Sequence, residues 1–247
     1  MRRLTAVFAH PDDETFAIGG TLARYAGDGV RCSLYCATDG DAGRSSGIPV
    51  SSRAELAALR REELRAASEV LGIAAVDRGG HPDGALAAVD PEVLLAEIVR
   101  VIRRERPQVV VTFGPEGAPT RHRDHRAISR LATAAFLLAG TTTAYPEQLA
   151  DGLAPHRADR LCYVTWPTPA PGAALDTEGQ PTDVRVPVRA WLPRKQLAYE
   201  AHRTQHHTRA HFEELGLTAT EDFFVAVGMP VPRGATDLFA GLDESGL

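Results

Sequence analysis

One imidazole, two adjacent aspartates and a glutamate stand together in Ala9-His10-Pro11-Asp12-Asp13-Glu14, and two further imidazoles flank an acid in His122-Arg123-Asp124-His125. Donors of these types suit a divalent metal. A catalytic zinc takes three nitrogen or oxygen ligands from the protein and keeps a fourth position for water, whose pKa it lowers toward neutrality. Consecutive side chains point in different directions, so one of Asp12 and Asp13 can bind metal while its neighbour acts on the water. The competing reading is a helix cap, a position Asp favours. His10 beside the pair and the His-x-x-His downstream weigh toward a metal hydrolase.

The elements that must position these groups are legible in the apolar runs. Strands are expected near Leu4 to Ala9, Val30 to Ala37, Ala74 to Asp77 and Val109 to Phe113, with helices near Thr15 to Gly27, Arg53 to Leu71, Pro91 to Arg106 and Asp124 to Leu138. Strand and helix in alternation predict an α/β fold, a mostly parallel sheet with helices on both faces. From about Gly140 the pattern changes to a C-terminal α+β extension. It offers strands at Leu161 to Trp166, Val184 to Val188 and Phe223 to Val227, a helix over Arg194 to His202, and a loop over Pro167 to Pro181. We expect one domain over 1–228, with its core in 1–140 and the extension in 141–228, followed by a tail over 229–247 that is mobile after Pro230.

The clusters fall at the carboxyl ends of the expected strands: His10 to Asp13 after the first, Thr38 to Asp41 after the second, His81 to Gly84 after the third, and His122 to His125 after the fourth. Open α/β sheets bind ligands along that edge. Gly19-Gly20 does not make the first turn a dinucleotide site, because the turn itself carries Pro and two acids where a phosphate-binding turn carries glycine.

In the helix over 53–71, Leu56, Ala67, Val70 and Leu71 form an apolar stripe at about 100° per residue, and Arg60 and Glu63 project within it. A buried arginine must be paired or must line a cavity. Either Arg60 pairs with Glu63 one turn away, or it reaches the crevice and holds an oxygen-rich substrate. His125 shares the stripe of Ile128, Ala132 and Ala135 and fits a ligand anchored on the helix, whereas His122 lies at the helix start, free to meet a reacting group. Asp124 suits orienting either ring. The run His202, His206, His207 and His211 reads as a polar helix end, with only His202 retained as a site residue.

The whole chain of 247 residues has 44% hydrophobic and 24% charged residues and a net charge of −5. That excludes the electrostatic footprint of nucleic-acid or anionic-membrane binding and favours a small-molecule partner. Positive charge is almost wholly arginine, with Lys195 the only lysine. Three scattered cysteines, Cys32, Cys36 and Cys162, fit a reducing cytoplasm and no disulfide scaffold. No signal peptide or membrane-spanning run is evident, so a soluble, unprocessed cytoplasmic protein is expected. A homo-oligomer stays open.

Taken together, AHPDDE (9–14), GGTLA (19–23), RREEL with LG (60–64, 71–72), HPDG (81–84), HRDH (122–125) and HRTQ (202–205) resemble the PIG-L/LmbE-like family of metal-dependent N-acetylglucosaminyl deacetylases. The resemblance spans most of the chain in the expected order. It implies a Rossmann-like fold, a catalytic Zn2+ with Fe2+ as the alternative, and hydrolysis of the acetamide of a glucosamine-type sugar. Carried over by position, it implies His10, Asp13 and His125 as metal ligands and Asp12 as general base. It further implies that His122 stabilises the oxyanion or protonates the leaving amine, that Asp124 orients His122, and that Arg60 contacts substrate, with Asp83 and His202 as further candidate contacts. Arg123 stands where many members carry proline, which adds charge at the crevice mouth and bears on substrate identity. Two other readings accompany this one: an amidase for a larger thiol-conjugate or acyl-glucosamine, and a metal- or sugar-binding module without turnover.

Overall fold

The computed structural model describes residues 1–117, 119–166 and 179–242. Among these described residues, seven strands form one sheet in the order β3-β2-β1-β4-β5-β7-β6. Its parallel part comprises β1 (Arg3–Phe8), β2 (Arg31–Thr38), β3 (Ala75–His81), β4 (Val109–Phe113) and β5 (Arg160–Thr165). On the far side β7 (Thr220–Gly228) runs antiparallel to β5, and β6 (Val184–Pro187) antiparallel to β7. The extension therefore continues the same sheet.

The central strands are apolar because both faces are covered. In β1, Leu4, Ala6, Val7 and Phe8 have no exposed surface, and Ala6 pairs with Leu34 of β2 on one side and Val111 of β4 on the other. On one face pack α1 (Asp13–Gly27), α2 (Arg53–Leu71) and α6 (Leu192–Ala201); α3 (Pro91–Glu105) and α4 (Arg123–Leu138) pack together on the other, with the short α5 (Pro146–Ala150) after them. The stripe expected on α2 is buried at Leu56, Arg60, Glu63, Ala67 and Leu71, while Val70 is only partly covered.

The strand order sets the site. The chain leaves β1 toward β2 and β3 on one side and returns to β4 on the other, so the crevice between β1 and β4 is the topological switch point at which such sheets bind ligands. HPDD leaves β1 there, and HRDH follows β4.

Gly20 serves the join between α1 and the extension. A Cβ on it would collide with Val188, and its amide, with that of Thr21, donates to Glu221 of β7 at 2.9 and 2.7 Å. The sole lysine, Lys195, closes on Glu221 at 2.6 Å, both groups buried. Helix α1 is kinked beside this contact, with non-helical backbone at Ile18.

Residues 231–242 of the expected mobile tail pack against the sheet domain. Leu238 and Phe239 are buried, and the fully buried Arg160 guanidinium donates to the carbonyls of Met229, Pro230, Leu238 and Ala240. A chain with four carbonyls committed to one buried cation cannot leave without stranding that charge. Residues 243–247, and residues 167–178 of the expected loop, lie outside the described residues.

Candidate active site

The first functional turn is built by a backbone that side chains hold in place. Asp12 has φ 120° and ψ −28°, a conformation an L-residue adopts only when its surroundings impose it. Its amide donates to Glu14 Oε2 at 3.0 Å, and its carbonyl accepts from Thr15 and Phe16 at 3.0 and 2.8 Å. Asp12 stands at the N-cap position of α1, yet its side chain caps nothing; it accepts instead from Arg60 Nη2 at 3.2 Å. The helix-cap reading of Asp12 is therefore not met.

Arg60 is 3% exposed. It donates to the Pro11 carbonyl, to the Gly40 carbonyl at 2.9 Å and to Asp12. Gly40 has φ +65°, and a Cβ there would meet the guanidinium. The alternative partner, Glu63, is occupied elsewhere, accepting from the amide and hydroxyl of Thr204 at 2.9 and 2.6 Å. The Arg60–Glu63 pair is thus replaced by a clamp on the turn that carries Asp12.

Asp13 sits between two imidazoles. Its Oδ2 accepts from the His10 amide at 2.8 Å and lies 3.4 Å from His10 Nδ1, while Oδ1 lies 3.2 Å from His125 Nε2. His125 stacks on Phe113 of β4 with centroids 3.9 Å apart and planes at 10°. His122 brings a third ring, 4.7 Å from His10 and 5.1 Å from His125 between centroids. One ring nitrogen from each of His10, His122 and His125 falls within 4.8 Å of the others.

A second grouping, His10 with Asp83 and Asp124, uses the other edge of the His10 ring. Nε2 lies 3.1 Å from Asp83 Oδ1 and 3.4 Å from Asp124 Oδ2. Asp124 has no exposed surface, and its carboxylate accepts from the amides of Gly84 and Leu86 at 2.7 and 3.1 Å. The expected orientation of His122 by Asp124 is altered in kind. The backbone amide of Asp124 donates to His122 Nδ1 at 3.2 Å, so His122 caps α4, and the carboxylate serves His10.

Electrostatics follow from this crowding. Burial disfavours charge on both His10 and Asp13, but their mutual attraction, with His125, prevails: His10 is raised well above the ordinary histidine range and Asp13 lowered well below that of a carboxylate. Desolvation pushes the Asp12 carboxyl up to about 6, against the pull of Arg60. His122 is lowered, by desolvation first and then by the neighbouring His10 and His125.

The donors fit a metal. Ring nitrogens of His10, His122 and His125 gather within reach of one ion, and Asp13 lies against two of those rings, a nitrogen and oxygen set that suits zinc and ferrous iron alike. Among the described residues, His125 Nδ1 is buried without a hydrogen-bond partner.

These groups floor a cavity of about 640 Å³. Asp12, Arg60, Asp83 and His122 border it, Phe16 and Trp166 line its walls, and Gln205, His207, Thr208, His211 and Leu215 close it from the short helical turns Arg203–Thr208, Arg209–His211 and Phe212–Gly216. The reading of His207 and His211 as a plain polar helix end missed this return of the chain. The one available signal was their place just after HRTQ. His202 is corrected in the opposite sense. It has no exposed surface and therefore cannot touch substrate; its Nε2 lies 2.8 Å from Glu14 Oε1, itself fully buried.

The model described as "PIG-L: GlcNAc-PI de-N-acetylase" matches residues 5–136. The chain is 31% identical to the 1D-myo-inositol 2-acetamido-2-deoxy-alpha-D-glucopyranoside deacetylase of Rhodococcus opacus (strain B4), over 98% of each protein. Its fold is similar to that of N,N'-diacetylchitobiose deacetylase from Pyrococcus horikoshii, with TM-score 0.74 and 22% identity over 93% of this chain and 84% of that one. It is also similar to 4-carboxy-2-hydroxymuconate hydratase from Pseudomonas putida, with TM-score 0.77 and 19% identity over 95% and 100%. At such identities the likeness is one of fold, and a hydratase among the neighbours illustrates that fold alone does not choose the reaction. The family match over more than half the chain, with the full-length relative behind it, places this chain in the PIG-L family of GlcNAc-PI de-N-acetylases.

Proposed function

We propose that this protein is a metal-dependent amide hydrolase that removes the N-acetyl group from an N-acetylglucosamine-type glycoside. The observation that carries the reading is the placement of a clamped carboxylate, Asp12, and an amide-capped imidazole, His122, around His10, Asp13 and His125 at the floor of one cavity. Family membership and the glycoside named for the Rhodococcus relative support the substrate class.

A dication held by His10, Asp13 and His125 would supply Lewis acidity and an acidified water. Asp12 takes the proton of the attacking water at its carboxylate, in an orientation fixed by Arg60, and that proton passes to the amine nitrogen as the C–N bond breaks to give acetate and free amine. His122, with Nδ1 engaged by the Asp124 amide, presents Nε2–H to the carbonyl oxygen as charge develops there. Asp83 borders the same floor and is proposed to contact sugar hydroxyls; Arg60, committed to three protein acceptors, acts on Asp12 first. We assign zinc as the metal, with ferrous iron as the alternative. Three buried unpaired cysteines support a cytoplasmic setting, and among the described residues no helix is long and apolar enough to cross a membrane.

Release of acetate and free amine from N-acetylglucosamine glycosides, by protein stripped of metal and then reloaded, tests the proposal. Release that depends on metal is expected; loaded protein inert toward every acetamido sugar would overturn it.

A further inference from the structure

Helix α6 delivers one residue to the catalytic turn without reaching the cavity. His202 follows Ala201 at the end of α6, and its ring is wholly enclosed by protein. Nε2 meets Glu14 Oε1 at 2.8 Å and lies 3.4 Å from the Thr15 hydroxyl. Glu14, on the first turn of α1, is enclosed as well, and its second oxygen accepts the Asp12 amide at 3.0 Å. Burial of a carboxylate is costly unless it is paired. Here the partners are His202, the Thr15 hydroxyl at 2.5 Å and the Asp12 amide.

The Asp12 amide is the group whose orientation decides where the base points. With φ at 120° the residue sits outside the regions L-residues favour, so its conformation is imposed from outside. Arg60 fixes the preceding carbonyl and the side chain, and Glu14 fixes the amide between them. The Glu14 carboxylate is in turn oriented from the opposite end of the chain, by His202.

We infer that His202 and Glu14 are positioning residues for the general base: the ring of His202 orients the Glu14 carboxylate, which holds the Asp12 amide in the strained turn that aims its carboxylate at the reacting water. The inference rests on the deacetylase reading of the site. It replaces substrate contact as the role of His202, and it gives the HRTQ segment a reason to meet AHPDDE. The C-terminal extension thereby completes the catalytic turn as well as walling the cavity.

The test compares His202→Leu, His202→Asn and His202→Gln in the full chain. Glutamine places an amide N–H near the reach of Nε2, and asparagine is one methylene too short. Misplacement of a reacting group by about 1 Å costs on the order of 100-fold. His202→Leu and His202→Asn are therefore expected to lower kcat roughly 10- to 100-fold with KM within about twofold and metal content unchanged, and His202→Gln to recover most of the rate. If His202→Leu does not fold, asparagine against glutamine carries the comparison.

A second readout needs neither metal nor substrate. Hydrogen exchange at the Asp12 amide of metal-free protein should accelerate about tenfold or more in His202→Asn and return in His202→Gln, because that amide opens when Glu14 turns away. Unchanged kcat and unchanged Asp12 exchange in His202→Leu and His202→Asn would overturn the inference. So would loss of rate that tracks loss of metal, or exchange that rises evenly along α1 and the sheet, since both mark a general structural role. Wild-type protein without turnover would count against the deacetylase reading, and the exchange arm would then decide the inference.

Discussion

The backbone amide of Asp124 donates to Nδ1 of His122 at 3.2 Å, so the histidine that faces the cavity is also the cap of α4. A nitrogen that accepts an amide N–H carries no proton, and the neutral ring is then protonated at Nε2. His122 is lowered by desolvation and by its imidazole neighbours, which keeps it neutral near pH 7. Nitrogen-15 spectra of selectively labelled protein should report the Nε2–H tautomer; an Nδ1–H tautomer would contradict the cap. Replacing His122 by Ala should cost roughly 10²- to 10³-fold in kcat, the usual loss of an oxyanion donor, with metal retained.

On the proposed ligand set, metal and proton compete at His10. Its pKa is raised well above the ordinary value, with burial opposed by Asp13, Asp124 and Asp83, which favours the protonated ring in the metal-free protein. A ligating imidazole must be neutral. Metal binding should therefore release about one proton per ion, and affinity should tighten as pH rises. Calorimetry in buffers of different ionisation enthalpy measures the release; binding without proton exchange would place the metal elsewhere. In the metal-free protein the same raised pKa stabilises the fold at low pH, a contribution lost as pH rises through the folded-state value.

Asp12 shows the same linkage in a carboxyl. Its pKa is raised from 3.8 to about 6 by desolvation, against Arg60. A raised carboxyl contributes stability that is complete below the unfolded value and is lost as pH climbs through the folded one. Without metal, Asp12→Asn should therefore gain Tm over wild type between pH 4 and 7, and a difference that is flat with pH would contradict the shift. With metal bound, the variant should keep the ion and lose most turnover, because the amide cannot accept the proton of water.

The tail supplies a stability prediction away from the site. Arg160 donates to four carbonyls of residues 229–240 and has no exposed surface. Arg160→Lys keeps the charge but loses the planar fork, and should cost about 2 to 4 kcal/mol in denaturant unfolding. Limited proteolysis should then cut beyond Gly228. A variant as stable and as resistant as wild type would show that the clasp is incidental.

The convergence of His10 to Asp13 with His122 to His125 was legible because each cluster follows an apolar strand, and alternation of strand and helix forces a parallel sheet whose carboxyl edge is shared. The partners of Arg60 were not. Periodicity placed it on the buried side of α2 and offered Glu63, but Thr204, 141 positions from Glu63, takes that carboxylate. His202 was legible as special and misread in role, since no local pattern announces that its ring turns inward to Glu14, 188 positions away. The cavity wall at His207 and His211 and the packing of residues 229–242 depend likewise on tertiary return of the chain, which leaves no spacing to read.

The most direct test of the central claim is release of acetate and free amine from N-acetylglucosamine and a panel of its glycosides, with metal-free protein and protein reloaded with zinc or ferrous iron, alongside His125→Ala. The account predicts release only when metal is restored, in equal amounts of acetate and amine, and neither metal nor turnover in His125→Ala. Equal release by the stripped protein, or full metal occupancy and turnover in His125→Ala, would contradict it.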